Sequence, residues 1–222
     1  VNSGSICAGN SFTINPSGAN TYTIQGGSAV KTPTSNATYT VTGTSAAGCA
    51  SSTFATSSIT VNAKPIITVN SGSICSGNSF TINPSGASTY TIQGGSSVVS
   101  PTANTSYTVV GTNTAGCVSN TFATSNVTVS ATPTIAVNSG SICAGNNFTI
   151  TPSGASTYTI EGGSAIKTPT ATTSYTVIGT NTAGCVSSTF ATSSITVNAL
   201  PVISVPSTTI CAVATATLSK GE

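Results

Sequence analysis

The chain has 222 residues and a net charge of +2, and only 3% of its residues are charged. It contains no His or Trp, and its only acids are Glu161 and Glu222. A catalytic triad needs a His and glycoside hydrolysis needs two nearby carboxylates, so this composition excludes both kinds of active site. We therefore expect a protein that is not an enzyme and that uses no cofactor and no metal.

The same composition limits the partners. A net charge of +2 gives no electrostatic footprint for nucleic acid or for an anionic membrane surface. No apolar run approaches the roughly 20 residues that a membrane helix requires, so we expect no direct membrane insertion in these residues.

Alternating apolar residues in the first 64 positions predict short strands. Turn residues such as Pro, Gly and Ser close each segment at the spacing of an all-β sandwich. No helical periodicity of useful length is present, so almost no helix is expected. The predicted strands carry Phe12 and Ile14, Tyr22 and Ile24, Ala29 and Val30, Tyr39 and Val41, and a longer segment over residues 51–62. Residues 66–69 are predicted to form the first strand of a second repeat.

Two sets of cysteines show that the sequence is a tandem array with a period of 68 residues. The first set is Cys7, Cys75, Cys143 and Cys211, and the second is Cys49, Cys117 and Cys185. The predicted domains are repeat 1 over residues 1–64, with a truncated first strand, repeat 2 over 65–132, repeat 3 over 133–200, and the start of a divergent fourth repeat over 201–222. We expect the fourth repeat to continue past Glu222, as part of a longer protein.

The paired cysteines predict disulfides. A domain of about 68 residues buries only about 60% of the surface that its unfolded chain exposes, so its core needs support. Free thiols would require a reducing compartment, and a metal site would require ligands that the chain lacks. We therefore predict one disulfide inside each complete repeat, worth roughly 3–4 kcal/mol for a loop of about 42 residues. The predicted pairs are Cys7 with Cys49, Cys75 with Cys117, and Cys143 with Cys185, and Cys211 has no partner within these residues.

Four motifs carry a resemblance to a known family. They are a Cys-x-Gly at Cys7, the T-Y-T-I segment over 21–24, the T-S-Y-T-V-x-G-T-N-x-A-G-C string over 105–117, and the T-V-N-A-x-P string over 60–65. Together they resemble the tandem immunoglobulin-like repeats of very large bacterial cell-surface proteins, including those of gliding bacteria that use type IX secretion. The resemblance implies exported immunoglobulin-like sandwiches of two antiparallel sheets that serve as a stalk or adhesive filament at the cell surface.

Proline occurs at every junction between repeats, at Pro65, Pro133 and Pro201, and it restricts the freedom of a hinge. We therefore predict a stiff rod with a skin of outward-facing threonines. Few charged residues lie on the edge strands to prevent them from pairing with other chains. We therefore expect other copies of the chain as partners, in lateral or end-to-end contacts that build a fibre. A surface or glycan ligand would bind at a tip outside these residues. The alternative function is a Thr-rich module that binds polysaccharide or ice directly.

Lys31 and Lys167 occupy equivalent positions, whereas Val99 stands there in repeat 2. A Lys–Asn cross-link of the kind found in some surface pilins would need an assisting acid and a lysine in every repeat. We therefore predict solvated lysines beside a turn.

Overall fold

The structure is a computed structural model that describes residues 1–205 and 207. Strands and connecting segments make up the described residues, and no helix occurs among them. The chain forms two compact units, one over Val1–Ser130 and one that begins at Ala131.

Each repeat contributes six strands, with the same lengths in every repeat. The strands of repeat 1 are β1 (Gly4–Cys7), β2 (Phe12–Thr13), β3 (Thr21–Ile24), β4 (Val30–Lys31), β5 (Ala37–Thr44) and β6 (Ala55–Asn62). Those of repeat 2 are β7 (Gly72–Cys75), β8 (Phe80–Thr81), β9 (Thr89–Ile92), β10 (Val98–Val99), β11 (Thr105–Thr112) and β12 (Ala123–Ser130). Those of repeat 3 are β13 (Gly140–Cys143), β14 (Phe148–Thr149), β15 (Thr157–Ile160), β16 (Ile166–Lys167), β17 (Thr173–Thr180) and β18 (Ala191–Asn198).

Strand pairing gives each repeat a four-stranded sheet and a two-stranded sheet. In repeat 1 the order of the larger sheet is β1-β6-β5-β3, and β2 pairs with β4 in the smaller one. The pairs β5·β6, β3·β5 and β2·β4 are antiparallel, whereas β1 runs parallel to β6. The predicted all-β, immunoglobulin-like sandwich is confirmed, with one parallel pair in a sheet that was expected to be wholly antiparallel.

The core of repeat 1 lies between the two sheets, where every second residue of a strand points inward. Ile14, Ile24 and Val41 form its buried centre. Partly buried side chains pack around this centre, and they are Phe12, Tyr22, Ala29 and Tyr39. Most of the apolar residues on which the strand predictions depended therefore face the core, whereas Val30 is 51% exposed.

Two strand predictions differ from the structure. Residues 4–7 form β1, which carries no apolar alternation beyond Ile6 and was missed. Residues 66–69, predicted to be a strand, form only one isolated antiparallel bridge, between Thr68 and Ser85. Both differences lie in the segment that leads into a repeat. Whether this segment forms a strand depends on the sheet edge with which it can pair, and that edge comes from residues far away in sequence.

A buried serine fastens this entering chain to the last strand of each repeat. The side chains of Ser57, Ser125 and Ser193 are fully buried. The hydroxyl of Ser57 donates to the carbonyl oxygen of Asn2 at 2.7 Å, and the other two serines donate to Asn70 and Asn138 at the same distance. The serine hydroxyl thus pairs a carbonyl group that β1 and its equivalents leave unbonded.

Replacing Ser57, Ser125 and Ser193 together by Ala would leave three carbonyl groups without their donors. An unpaired buried polar group costs about 1–3 kcal/mol, so we expect a clear fall in the free energy of unfolding of each repeat. Chemical denaturation followed by circular dichroism measures it.

The matched control is the triple substitution of the preceding residues, Thr56, Thr124 and Thr192, by Ala. These side chains are exposed on the same strands. We expect the control to change stability by only a few tenths of a kcal/mol, as is usual for surface positions. Equal losses in both triple variants would contradict the role of the buried hydroxyl.

Candidate functional site: the junction between repeats

A disulfide joins repeat 1 to repeat 2. It links Cys7 to Cys117 across 110 residues of sequence, with 5.5 Å between the two Cα atoms. The Sγ atom of Cys117 lies 3.9 Å from the carbonyl oxygen of Asn62, the last residue of β6. The bond therefore lies where the chain leaves the first sandwich and enters the second.

The predicted pairing inside each repeat is wrong for Cys7, because Cys7 bonds to Cys117 and Cys49 is an exposed free thiol. The strand directions give the physical reason. We call the end of a sandwich where β6 or its equivalent begins the leading end, and the opposite end the trailing end. Since β1 runs parallel to β6, Cys7 lies at the trailing end. Since β5 runs antiparallel to β6, Cys49 lies at the leading end, beyond disulfide distance.

The remaining predicted pairs are wrong as well. Cys117 is bonded to Cys7, so it does not pair with Cys75. Cys143 is an exposed free thiol, so it does not pair with Cys185. Both Cys75 and Cys185 are nevertheless disulfide-bonded. Cys211 lies outside the described residues.

The segments that follow β6 and β12 dock on the leading ends of repeats 2 and 3. We call residues 65–69 and 133–137 the docking segments. In the first, Ile67 packs against Gly111, so that a Cβ on this glycine would collide with the isoleucine. The carbonyl oxygen of Ile66 lies so close to Gly86 that a Cβ there would collide with it too. Gly86 has φ of 102°, a conformation that glycine adopts readily.

Main-chain hydrogen bonds complete the contact. The amide of Thr68 donates to the carbonyl of Ser85 at 3.1 Å, and the amide of Ser85 donates back at 2.9 Å. The Nδ2 atom of Asn113 donates to the carbonyl of Ala63 at 2.8 Å, and its Oδ1 accepts the amide of Cys117 at 2.9 Å. One asparagine thus ties the loop that holds the cysteine to the chain that arrives from repeat 1.

The second unit contains the same arrangement at the leading end of repeat 3. Asn181 donates to the carbonyl of Ala131 at 2.8 Å. Ile135 packs against Gly179, and the carbonyl of Thr134 approaches Gly154 as closely as Ile66 approaches Gly86. The docked segment is therefore a feature of the repeat and not of one junction.

The junction prolines occupy the predicted places. Pro65 follows β6 and Pro133 follows β12, and both are half-buried at the start of a docking segment. Pro201 follows β18 and is exposed. The restriction that these prolines place on hinge motion stays a prediction.

Lys31 and Lys167 are buried, so their predicted solvated position is wrong. Each retains 7% exposure. The ammonium group of Lys31 donates to the carbonyl oxygen of Gln25 at 2.5 Å and lies 4.8 Å from the centre of the Tyr39 ring. Lys167 makes the equivalent two contacts in repeat 3. The aromatic face and the carbonyl replace water around the charge.

Glu161 links two strands in repeat 3. Its carboxylate accepts the backbone N–H of Thr176 at 3.0 Å and the hydroxyl of Thr176 at 2.9 Å. The backbone hydrogen bond from Thr176 and then the hydroxyl hydrogen bond lower the pKa of Glu161 from its ordinary value. Desolvation opposes this shift, and the Lys167 charge adds to it with the smallest contribution. In the other repeats Gln25 and Gln93 accept the same pair of hydrogen bonds. Residues 25, 93 and 161 therefore have the same structural role, which is to link two neighbouring strands.

Metal-binding clusters and membrane-spanning helices are both absent from the described residues. They contain no group of three or more His, Cys, Asp or Glu side chains placed to hold a metal ion. No helix in this part of the chain has the length and apolar character needed to cross a membrane.

The chain resembles several solved multidomain proteins at low identity. One is a Ca²⁺-stabilised adhesin of an Antarctic bacterium that binds ice, with 17% identity over 75% of this chain and a TM-score of 0.37; the chain spans 58% of that protein. Another is a three-domain immunoglobulin fragment of titin, with 11% identity, 89% and 96% coverage, and a TM-score of 0.41. A third is a 1.5-MDa bacterial ice-binding adhesin, with 18% identity, 73% and 74% coverage, and a TM-score of 0.32. Similarity at this level does not identify a function.

No protein-family model and no curated protein sequence matches the chain.

The observed pairing predicts which cysteines react with a maleimide in the native protein. Cys49 and Cys143 are exposed thiols and should be labelled at once, whereas Cys7, Cys75, Cys117 and Cys185 should be labelled only after reduction. Peptide mapping by mass spectrometry without reduction should recover a peptide pair that contains Cys7 and Cys117. A peptide pair that contains Cys7 and Cys49 would contradict the structure.

The Glu161→Gln substitution should remove a pH dependence without disturbing the fold, because glutamine makes the same two hydrogen bonds in repeats 1 and 2. A carboxyl whose folded pKa is lowered stabilises the protein above its unfolded pKa, and this stabilisation is lost as pH falls through the folded pKa. The melting temperatures of the two proteins should therefore agree at pH 7. Below about pH 4.5 the wild type should lose stability faster than the variant. Parallel acid profiles would show that the carboxylate contributes nothing.

Proposed function

We propose that this chain is the structural repeat region of an extracellular bacterial filament or adhesin stalk, in which the repeats form a stiff rod. The observation that carries the proposal is the Cys7–Cys117 disulfide, which joins consecutive repeats instead of stabilising one of them. A covalent bond between neighbours resists their separation, which is the task of an element that transmits force.

The packing at the junction supports stiffness. The docking segment of residues 65–69 makes a β-bridge, fills the space over Gly111 and is held by Asn113. A connection that is hydrogen-bonded along its length has little freedom to bend, unlike a flexible linker. With the disulfide beside it, the junction between repeats 1 and 2 is fixed at two places.

The cysteines support a location outside the cytoplasm or at the cell surface. Four of them are oxidised, and disulfides persist mainly in oxidising environments. Export by a type IX system, which the resemblance to the repeats of gliding bacteria implies, is part of the proposal.

No catalytic role and no cofactor belong to this function. The chain has no His and only two acids, so a general base with a partner to orient it is missing. Its partners are other molecules of the same chain, in lateral or end-to-end contact, and any surface or glycan ligand binds elsewhere. We propose no nucleic-acid partner and no direct membrane insertion of these residues.

Exposed aromatic side chains support lateral contact between chains. Phe54, Phe122 and Phe190 occupy equivalent positions and are 63–64% exposed. An apolar side chain that recurs once in each repeat places matching contacts along two parallel rods.

Direct binding of ice or polysaccharide through rows of threonine is the weaker candidate. The outer row of β5 contains Thr38, Thr40 and Thr42. The position of Thr42 is taken by Val110 in repeat 2 and by Ile178 in repeat 3, so the hydroxyl array is interrupted. The junction contacts, in contrast, are the same in repeats 2 and 3.

Small-angle X-ray scattering on the chain at a concentration where sedimentation shows a monomer tests the proposal. A rod of tandem sandwiches should have a radius of gyration well above the roughly 17 Å of a compact 222-residue globule. Reduction should leave each sandwich folded but broaden the distribution of interatomic distances as the junctions loosen. A value near that of a compact globule, or no response to reduction, would overturn the stiff rod.

A further inference from the structure

Tension along the chain enters and leaves repeat 1 through two neighbouring strands. The chain enters at the start of β1 and leaves at the end of β6, and the two strands pair in parallel, from Gly4 with Ile59 to Cys7 with Asn62. Both strands therefore run from the leading end of the sandwich toward its trailing end. A pull on the two ends of this repeat acts along β1 and β6 and loads the hydrogen bonds between them in shear.

Two hydrogen bonds outside the ladder also hold β1 on β6. The buried hydroxyl of Ser57 donates to the carbonyl of Asn2, just before β1 begins. The amide of Ala8 donates to the carbonyl of Asn62 at 2.9 Å, just after β1 ends. These two bonds flank the strand, so Cys7, its last residue, is held beside the point where the chain leaves the sandwich.

The disulfide provides a shorter covalent route between the two sandwiches. It leads from Cys7 at the end of β1 directly to Cys117 in repeat 2. Cys117 lies in the connection that precedes β12 and therefore at the leading end of its own sandwich. The shortest covalent route through the first unit consists of residues 1–7, the disulfide and residues 117–130. We call this route the load path.

The strands of the load path are already extended in the folded protein. The first part contains β1 and the second part contains β12, and each runs toward the trailing end of its sandwich. A β-strand rises about 3.3 Å per residue, close to the roughly 3.3–3.6 Å per residue of a fully stretched chain. Only the short segments around these strands can lengthen when the sandwiches unfold.

One sulfur of the bond is protected from reductants. Cys117 is only 1% exposed, whereas Cys7 is half-buried. Thiol–disulfide exchange begins with the attack of a thiolate on a sulfur atom, so a reductant can approach the folded protein only from the side of Cys7. Folding of repeat 2 therefore slows the loss of the load path.

We propose that the Cys7–Cys117 disulfide makes the first two repeats inextensible under tension. Residues 8–116, which include the body of repeat 1 and most of repeat 2, lie outside the load path and cannot be drawn out while the bond is intact. Unfolding of either sandwich then adds none of these residues to the length of the chain. Tension is the load that the proposed stalk would carry, so this bypass rests on the proposed function and adds the covalent route that the tension takes.

Reduction makes the same part of the chain extensible. A dithiol gives two electrons and two protons to the bond, which becomes two thiols, and the dithiol itself becomes a cyclic disulfide. The 110 residues between the two cysteines then enter the path of tension. At 3.3–3.6 Å per residue they add roughly 360–400 Å to the stretched chain.

Single-molecule force spectroscopy on the full chain tests the load path, with both ends held through tags that contain no cysteine. Cys75→Ser and Cys185→Ser are present in every protein, because these two residues also form disulfides. In this background the fully stretched chain should lengthen by roughly 360–400 Å when a dithiol is added. The stretched length depends on which cysteines are bonded, so a loss of stability in the background does not change it. Peptide mapping without reduction should recover Cys7 bonded to Cys117.

The Cys117→Ser substitution in this background should give the longer length with and without the dithiol. The matched control is Cys49→Ser, which removes the exposed thiol at the equivalent position of repeat 1 and should behave like the background protein. A gain of only about 140–150 Å on reduction would indicate a bond across the roughly 42 residues between Cys7 and Cys49 and would overturn the load path. The absence of any gain would overturn it as well.

The stretching and scattering experiments separate the load path from the stiff rod, since stretching reports covalent connectivity and scattering reports bending. A monomer that is flexible in solution but lengthens on reduction by the expected amount would remove the stiff rod and leave the load path. A stiff monomer that does not lengthen on reduction would remove the load path and leave the rod.

Discussion

The parallel pairing of the first strand of each repeat with its last strand is the constraint on which the rest of the architecture depends. It places the end of β1 beside the end of β6, so Cys7 and the departing chain share the trailing end. The antiparallel strand β5 carries Cys49 to the leading end. A cysteine at each end cannot bond across its own sandwich and can bond to the facing end of a neighbour. The disulfide therefore stabilises the array and leaves the single repeat without one.

A second consequence is that repeats 2 and 3 have leading ends completed by a segment from outside the sandwich. Gly86 and Gly154 leave room for a main-chain carbonyl that would collide with any side chain. The docking segment belongs to the connection from the previous repeat. The free energy of unfolding of a sandwich therefore includes a contribution from contact with that connection, as in other repeat proteins. A small core is thus supplemented by contact along the array.

Hydrogen bonds to neutral partners take the place of ion pairs around the buried polar and charged side chains. Buried Ser57 satisfies the carbonyl of Asn2, and the Lys31 ammonium donates to a carbonyl instead of a carboxylate. Even Glu161 makes only the contacts that Gln25 makes in repeat 1. Interactions of this kind respond little to salt, because screening acts on pairs of opposite charges.

The sequence by itself determined the β-sandwich class, the period of 68 and most strands, because side-chain alternation and turn residues are local signals. Phe12, Tyr22, Tyr39 and their neighbours face the core as their spacing predicts. It also predicted that six cysteines form disulfides, which is right for Cys7, Cys75, Cys117 and Cys185 and wrong for Cys49 and Cys143. The predicted partners are wrong, since spacing along the chain does not give strand direction. Only the tertiary structure decided which end of the sandwich each cysteine reaches, that Lys31 folds back over an aromatic ring, and that residues 65–69 dock instead of forming a strand. These outcomes depend on sheet edges built from residues far apart in sequence, and no local pattern encodes them.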